Sequence, residues 1–238
     1  MNDTEAKLRD MLSRVARALP KDLLERMAFV GGATTALLLT DPIVRQGVRY
    51  TLDVDLIVGT QGRGHWAQLQ KRLRECGFRE SQDDDVLCRM RLGDLIVDFM
   101  PTDARILGFT NAWYSRALET SRQHDLEAGT RIKLLDPVYF VATKLEAWKG
   151  RGNDDPLSSH DLEDILTLVD GRDVLCDEIA RAESDVRRYI ATEFGKLLDH
   201  PSFEYALAGN LSDPGRADLV WERWERIVHD NLKPTNAR

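Results

Sequence analysis

The stretch RYTLDVDLIV, residues 49–58, sets two aspartates one residue apart inside an apolar run. Strand interiors disfavour aspartate, and a buried carboxylate without a partner is costly. Alternate side chains of a strand face opposite ways. That pleat gathers Leu52, Val54, Leu56 and Val58 on one apolar face and turns Asp53, Asp55 and Ile57 to the other. DLIVDFMP reads the same way, with Leu95, Val97 and Phe99 towards the core and Ile96 and Asp98 away from it. A single such aspartate is ordinarily the solvated side of a half-buried strand. Two carboxylates about 7 Å apart along a strand, joined by a third on a second strand, repel one another unless something positive lies between them. A hard divalent cation meets that need, because Mg²⁺ takes carboxylate oxygens, keeps waters and pairs with phosphates. Three such groups can hold two ions, one beside an attacking hydroxyl and one beside a leaving pyrophosphate. Asp53, Asp55 and Asp98 are therefore the expected metal ligands, for two Mg²⁺ ions or Mn²⁺ in their place.

Upstream, FVGGATTALLLTD reads as the end of a strand, a sharp turn at Gly31-Gly32, and the start of a helix. Such a turn can cradle an anion with its backbone N–H groups, and the hydroxyls of Thr34 and Thr35 could add donors. Alone the glycine pair is simply a turn; its weight comes from the D-x-D strand and the third aspartate that follow.

The Gly31-Gly32 turn, the Asp53-Val54-Asp55 strand and Asp98 together resemble the polymerase-β-type nucleotidyltransferase superfamily. Three further segments narrow the likeness: RYTLDVDL fits R-x-T-x-D-h-D, ATKLEAWKGRG a K-L-x-A helix, and SSHDLEDI a D-x-x-D helix. From about residue 28 to 172 the chain resembles the AbiEii/AbiGii-type nucleotidyltransferase toxins, a group with members acting on tRNA 3′ ends. It departs at His160, where many of that group carry Arg. The resemblance implies transfer of a nucleoside monophosphate from an NTP to an acceptor hydroxyl. It implies RNA, tRNA included, as acceptor, and a cognate antitoxin protein as partner. Gly31, Gly32 and Thr34 would bind terminal phosphates, with Lys144 and Arg49 countering developing charge.

The residues themselves leave more than one reading at the second carboxylate pair. Lys144 lies on the shoulder of the stripe Val138, Val141, Leu145 and Trp148. It is either a lysine snorkelling from a helix boundary or a charge aimed at a triphosphate. Asp161 and Asp164 share one helix edge by their spacing, and Asp161 equally suits a helix N-terminus. The resemblance implies that one of them contacts Lys144 or the nucleotide, and the sequence does not decide which. Lys149, Arg151 and His160 read as solvated loop residues or phosphate contacts.

Composition bounds the rest. The 238 residues are 42% hydrophobic and 31% charged, as expected of an ordinary globular chain. No apolar run is long enough to span a bilayer. MNDTEAKLRDMLSRVARALP reads as a polar helix carrying Leu8, Met11, Leu12 and Val15, not as a secretory leader. Three scattered cysteines give neither a zinc cluster nor a disulfide framework, so a cytoplasmic location is expected. The net charge of −7 argues against nonspecific wrapping of DNA, leaving any RNA to a local patch such as the basic segment from Arg63 to Arg79. The expected fold is α/β (α+β): a mixed-sheet nucleotidyltransferase domain over residues 1–130, and a helical domain over 131–238 that completes its active site. Within the superfamily, an aminoglycoside-type enzyme acting on a small cation is the nearest alternative. A catalytically silent binding module and a D-x-D glycosyltransferase stand further off.

Overall fold

The computed structural model describes residues 3–82, 84 and 86–232. The chain forms two compact units, one of residues 1–36 with 49–136 and the other of 37–48 with 137–238. The passage to the second unit falls after Asp136 and not at 130, because the strand Arg131–Leu134 still belongs to the sheet. The short segment 37–48, which reads as part of the first unit in sequence, goes with the helices. The backbone N–H groups of Thr40 and Asp41 both donate to the Gly171 carbonyl at 2.9 Å.

The first unit is built on a six-stranded mixed sheet. Its strands are β1 (Met27–Val30), β2 (Asp53–Val58), β3 (Arg89–Leu92), β4 (Leu95–Pro101), β5 (Arg122–Asp125) and β6 (Arg131–Leu134), in the order β3-β4-β2-β1-β6-β5. β1 runs antiparallel to β2, while β2 and β4 are parallel. The helix Gly62–Glu75 lies on the crossover between that parallel pair. Gly93, with φ of +62°, makes the tight β3–β4 turn together with Asp94. The helix Asp3–Ala18 buries Leu8, Met11, Leu12 and Val15, as their spacing requires.

The pleat divides the sheet as the sequence pattern requires, with one exception. Val54, Leu56, Val97 and Phe99 are fully buried, and Phe78 meets Phe99 edge to face with ring centres 5.3 Å apart. Leu52, expected at the head of this apolar face, precedes β2 and is 68% exposed. On the other face Ile57 is buried too, so only the beginning of that face, at Asp53 and Asp55, stays open.

The second unit is helical. Its longest helices are Pro137–Arg151, His160–Gly171, Ser184–Leu198 and Ala217–Leu232. Pro137 opens the first of these, and the helix runs through Gly150 to Arg151. It is also buried on more than the expected stripe: Tyr139, Phe140, Ala142, Thr143 and Lys144 are covered as well. Ser159 caps the next helix by accepting from the Leu162 N–H, and Leu162, Ile165, Leu166 and Val169 form its buried stripe. Trp224 stacks on Phe194 and donates its indole N–H to the Phe194 carbonyl at 3.1 Å. No helix among the described residues is long and apolar enough to cross a membrane.

Candidate metal site

Strand register brings the three aspartates together. Asp55 lies directly opposite Asp98 across the parallel β2–β4 pair, and Asp53 stands two residues earlier on the same face. One carboxylate oxygen from each of Asp53, Asp55 and Asp98 falls within 4.8 Å of the others. Like charges directly opposite destabilise a sheet, so the arrangement carries an electrostatic cost. Part of that cost is met inside the protein. The Arg89 Nε and Nη2 donate to Asp98 Oδ1 and Oδ2, each at 2.8 Å. This pairing, reinforced by the charges of Asp98, Asp53 and Asp84, binds the guanidinium proton more tightly than usual. Thr51 donates a short hydrogen bond to Asp53 Oδ1.

Arg89 and Thr51 are contributors that the strand pattern alone does not single out. Arg89 had a signal: counting outward from the two-residue Gly93-Asp94 turn pairs it with Asp98, as the register shows. The negative field of the cluster reaches its neighbour too. Burial, together with the charges of Asp98 and Asp55, pushes the Cys88 thiol up to about 12.

The glycine turn serves the same cluster. Gly31 adopts φ of +75°, and a Cβ there would overlap Asp55 Oδ2 and sit 2.8 Å from Asp55 Cγ. The residue is glycine because the backbone must turn left-handed while a carboxylate packs against it. Gly32 then begins a 3₁₀ turn, Gly32–Thr34, followed by the single helical turn Thr35–Leu38, shorter than the expected helix. Thr34, expected to offer its hydroxyl to a phosphate, is fully buried and donates instead to the Gly31 carbonyl at 2.8 Å. Its role is to hold the turn. Arg49 lies half-buried ahead of β2.

Replacing Gly31 by alanine should therefore move Asp55. We expect about 1–3 kcal/mol of destabilisation from the left-handed backbone and at least a tenfold loss of divalent-cation affinity. Calorimetric titration with Mn²⁺ measures the second effect, and unchanged affinity would dissociate Gly31 from the acid cluster.

The sequence matches no protein-family model and no curated protein.

In the helical unit a second cluster forms around Lys144. Its Nζ lies 3.0 Å from Asp161 Oδ1 and 2.7 Å from Asp164 Oδ2, and all three residues are buried. Both aspartates thus contact Lys144, where the sequence leaves the choice open. Arg151 completes the group with two hydrogen bonds to Asp161, each at 2.8 Å. Lys144 is not a boundary residue with its head in water; it is the centre of a buried ion cluster. Lys149 lies over the Tyr189 ring and near Glu146, and His160 pairs with Glu163 at 2.9 Å.

Burial alone would raise the Asp161 carboxyl, but the Arg151 hydrogen bonds and the Lys144 and Arg151 charges outweigh it and hold it below its ordinary value of 3.8. A carboxylate depressed in the folded state contributes stability above its unfolded pKa and loses it as pH falls through the folded one. The helical unit should therefore hold its full Asp161 contribution above about pH 4 and lose it on further acidification. Asp161→Asn should flatten the acid limb of the pH–stability curve in urea titrations. An unaltered limb would mean that Asp161 titrates alike in the folded and unfolded chain.

Proposed function

We propose that the protein is a metal-dependent nucleotidyltransferase of the polymerase-β type, moving a nucleoside monophosphate from an NTP to an acceptor hydroxyl. The observation that carries this reading is the convergence of Asp53, Asp55 and Asp98, with oxygens inside 4.8 Å, beside a glycine turn on the next strand. The residues fit a hard cation. Two oxygens on opposite sides of one Mg²⁺ lie about 4.2 Å apart, and paired ions ~4 Å apart widen the span that three carboxylates can serve. An ionised carboxylate offers about four acceptor positions, so Asp98 keeps capacity for a cation while bonded to Arg89. Asp53 and Asp55 would hold both ions and Asp98 one of them. When bound, Mg²⁺ would supply charge stabilisation to the phosphates and make the acceptor hydroxyl easier to deprotonate.

In the proposed reaction the acceptor oxygen forms a bond to the α-phosphorus while the bond from that phosphorus to the bridging oxygen breaks. Pyrophosphate leaves, and the hydroxyl proton passes to the Asp98 carboxylate and then to water. Arg89 keeps Asp98 in one orientation throughout. The backbone N–H groups of the Gly31-Gly32 turn would face the terminal phosphates. The motif resemblance to the AbiEii/AbiGii-type toxins supports RNA as the acceptor and an antitoxin as partner.

The test is incubation of the full chain with each α-labelled NTP, Mg²⁺ and total RNA. Label on RNA, lost on chelation, is the expected result. Label on an added aminoglycoside would move the acceptor to a small cation, and no label on any acceptor would remove the enzymatic reading.

A further inference from the structure

A cavity of about 270 Å³ opens at the other end of β2, against the entry of β1. It borders Val58, Gly59 and Thr60, three to five positions beyond Asp55, or roughly 10–17 Å along the strand. β1 is antiparallel to β2, with Met27 opposite Val58 and Val30 opposite Asp55. The glycine turn and the acid cluster therefore sit at one end of this strand pair, and the cavity sits at the other.

Its chemistry is the reverse of the acid cluster. Arg26, His65, Gln68 and Arg72 provide the polar lining, and buried Met27 and Val58 form part of the apolar floor. Arg72 is already committed: its Nη1 and Nη2 donate to Asp22 at 2.6 and 3.0 Å. Arg74, next in the basic segment, is likewise paired, with Glu80 at 2.7 Å. These pairings weaken the expectation that the whole segment acts as an open basic patch. Arg26 differs, because no carboxylate lies within ion-pairing distance of it among the described residues. Thr60 adds a buried hydroxyl that has no hydrogen-bond partner there either.

We propose that this cavity is an anion site for a phosphate ester of nucleotide size, separate from the metal cluster. An unneutralised guanidinium offers paired donors that match phosphate oxygens. The imidazole and the Gln68 amide add further polar contacts, while the floor accepts a flat or aliphatic group attached to the phosphate. The volume lies just below that of common small-molecule pockets, which suits one mononucleotide unit and not a dinucleotide. That unit is either a free mononucleotide or one residue of an RNA strand.

The experiment uses the ¹⁵N-labelled full chain with chelator present, so that the acid cluster takes no part. It is titrated separately with inorganic phosphate, a ribonucleoside 5′-monophosphate, the unphosphorylated nucleoside and a short single-stranded RNA. The expected result is that the phosphate-bearing ligands shift the Gly59 and Thr60 amides and the Gln68 side-chain amide, and the nucleoside does not. RNA binding at least tenfold tighter than the monophosphate, with a steep salt dependence, assigns the site to a strand; equal affinity assigns it to the free nucleotide. Arg26 is exposed, so Arg26→Glu should fold and weaken phosphate binding at least tenfold, with Arg26→Gln as the neutral control. Unmoved Gly59 and Thr60 amides, or unchanged affinity in Arg26→Glu, would overturn the proposal. Neither result touches the nucleotidyltransferase reading, which is tested with metal and labelled NTP.

Discussion

Asp55→Asn is expected to abolish metal-dependent transfer while leaving the fold intact. Asparagine keeps the shape that packs against Gly31, so the turn has no reason to move. It removes one charge from a pair set directly opposite across β2 and β4. Loss of a cation ligand in such a site forfeits several kcal/mol of transition-state stabilisation, a rate loss of about 10³-fold or more. Stability should respond in the opposite sense when no divalent cation is present. Relief of a like-charge cross-strand pair is worth about 0.2–1 kcal/mol, so the variant should be slightly more stable than the parent in chelator. Adding Mg²⁺ should then stabilise the parent by mass action and leave the variant nearly unchanged. That crossing, followed by urea unfolding with and without Mg²⁺, distinguishes a metal site from three aspartates that merely share a face. Full transfer activity in folded Asp55→Asn would end the enzymatic proposal.

The local pattern is legible in the residues themselves. A period of two with carboxylates on the wrong face marks Asp53, Asp55 and Asp98, and a two-residue turn fixes the β3–β4 register that brings Arg89 to Asp98. The parallel pairing that sets Asp55 against Asp98 is not legible, because it depends on a crossover whose length does not specify register. Thr34 shows the other limit. Its type suits a phosphate donor, but whether a hydroxyl is available depends on which carbonyl lies near, and here that is Gly31. The segment 37–48 joins the helical unit for a similar reason, since its contacts to Gly171 are long-range in sequence. An amphipathic helix reads as one-sided, which sets Lys144 on the boundary of a stripe. The Pro137–Arg151 helix is covered more widely than that, and a covered lysine must find carboxylates.

Lys144→Met should destabilise the helical unit strongly, because the lysine is the centre of a buried ion cluster and not a side chain snorkelling from a helix boundary. The substitution keeps the length and apolar stem but strips the cation from between Asp161 and Asp164. Asp161 retains Arg151, with its two 2.8 Å hydrogen bonds. Asp164, only 1% exposed, loses a cation at 2.7 Å. Breaking a buried ion pair by removing one partner costs about 3–5 kcal/mol. Removing the Asp164 charge as well, in Lys144→Met with Asp164→Asn, should recover more than half of that loss, because a neutral amide is far cheaper to bury than a carboxylate. The double-mutant cycle, read by urea unfolding, gives the coupling between the two groups directly. A loss below about 1 kcal/mol in Lys144→Met, the range of an exposed pair, would show that the cluster relaxes into water. The double variant also separates the two roles that the sequence offers for this lysine. Transfer activity restored along with stability would make Lys144 a structural counter-ion, whereas activity still absent in a stable protein would assign the charges of the Lys144–Asp164 pair to the reaction.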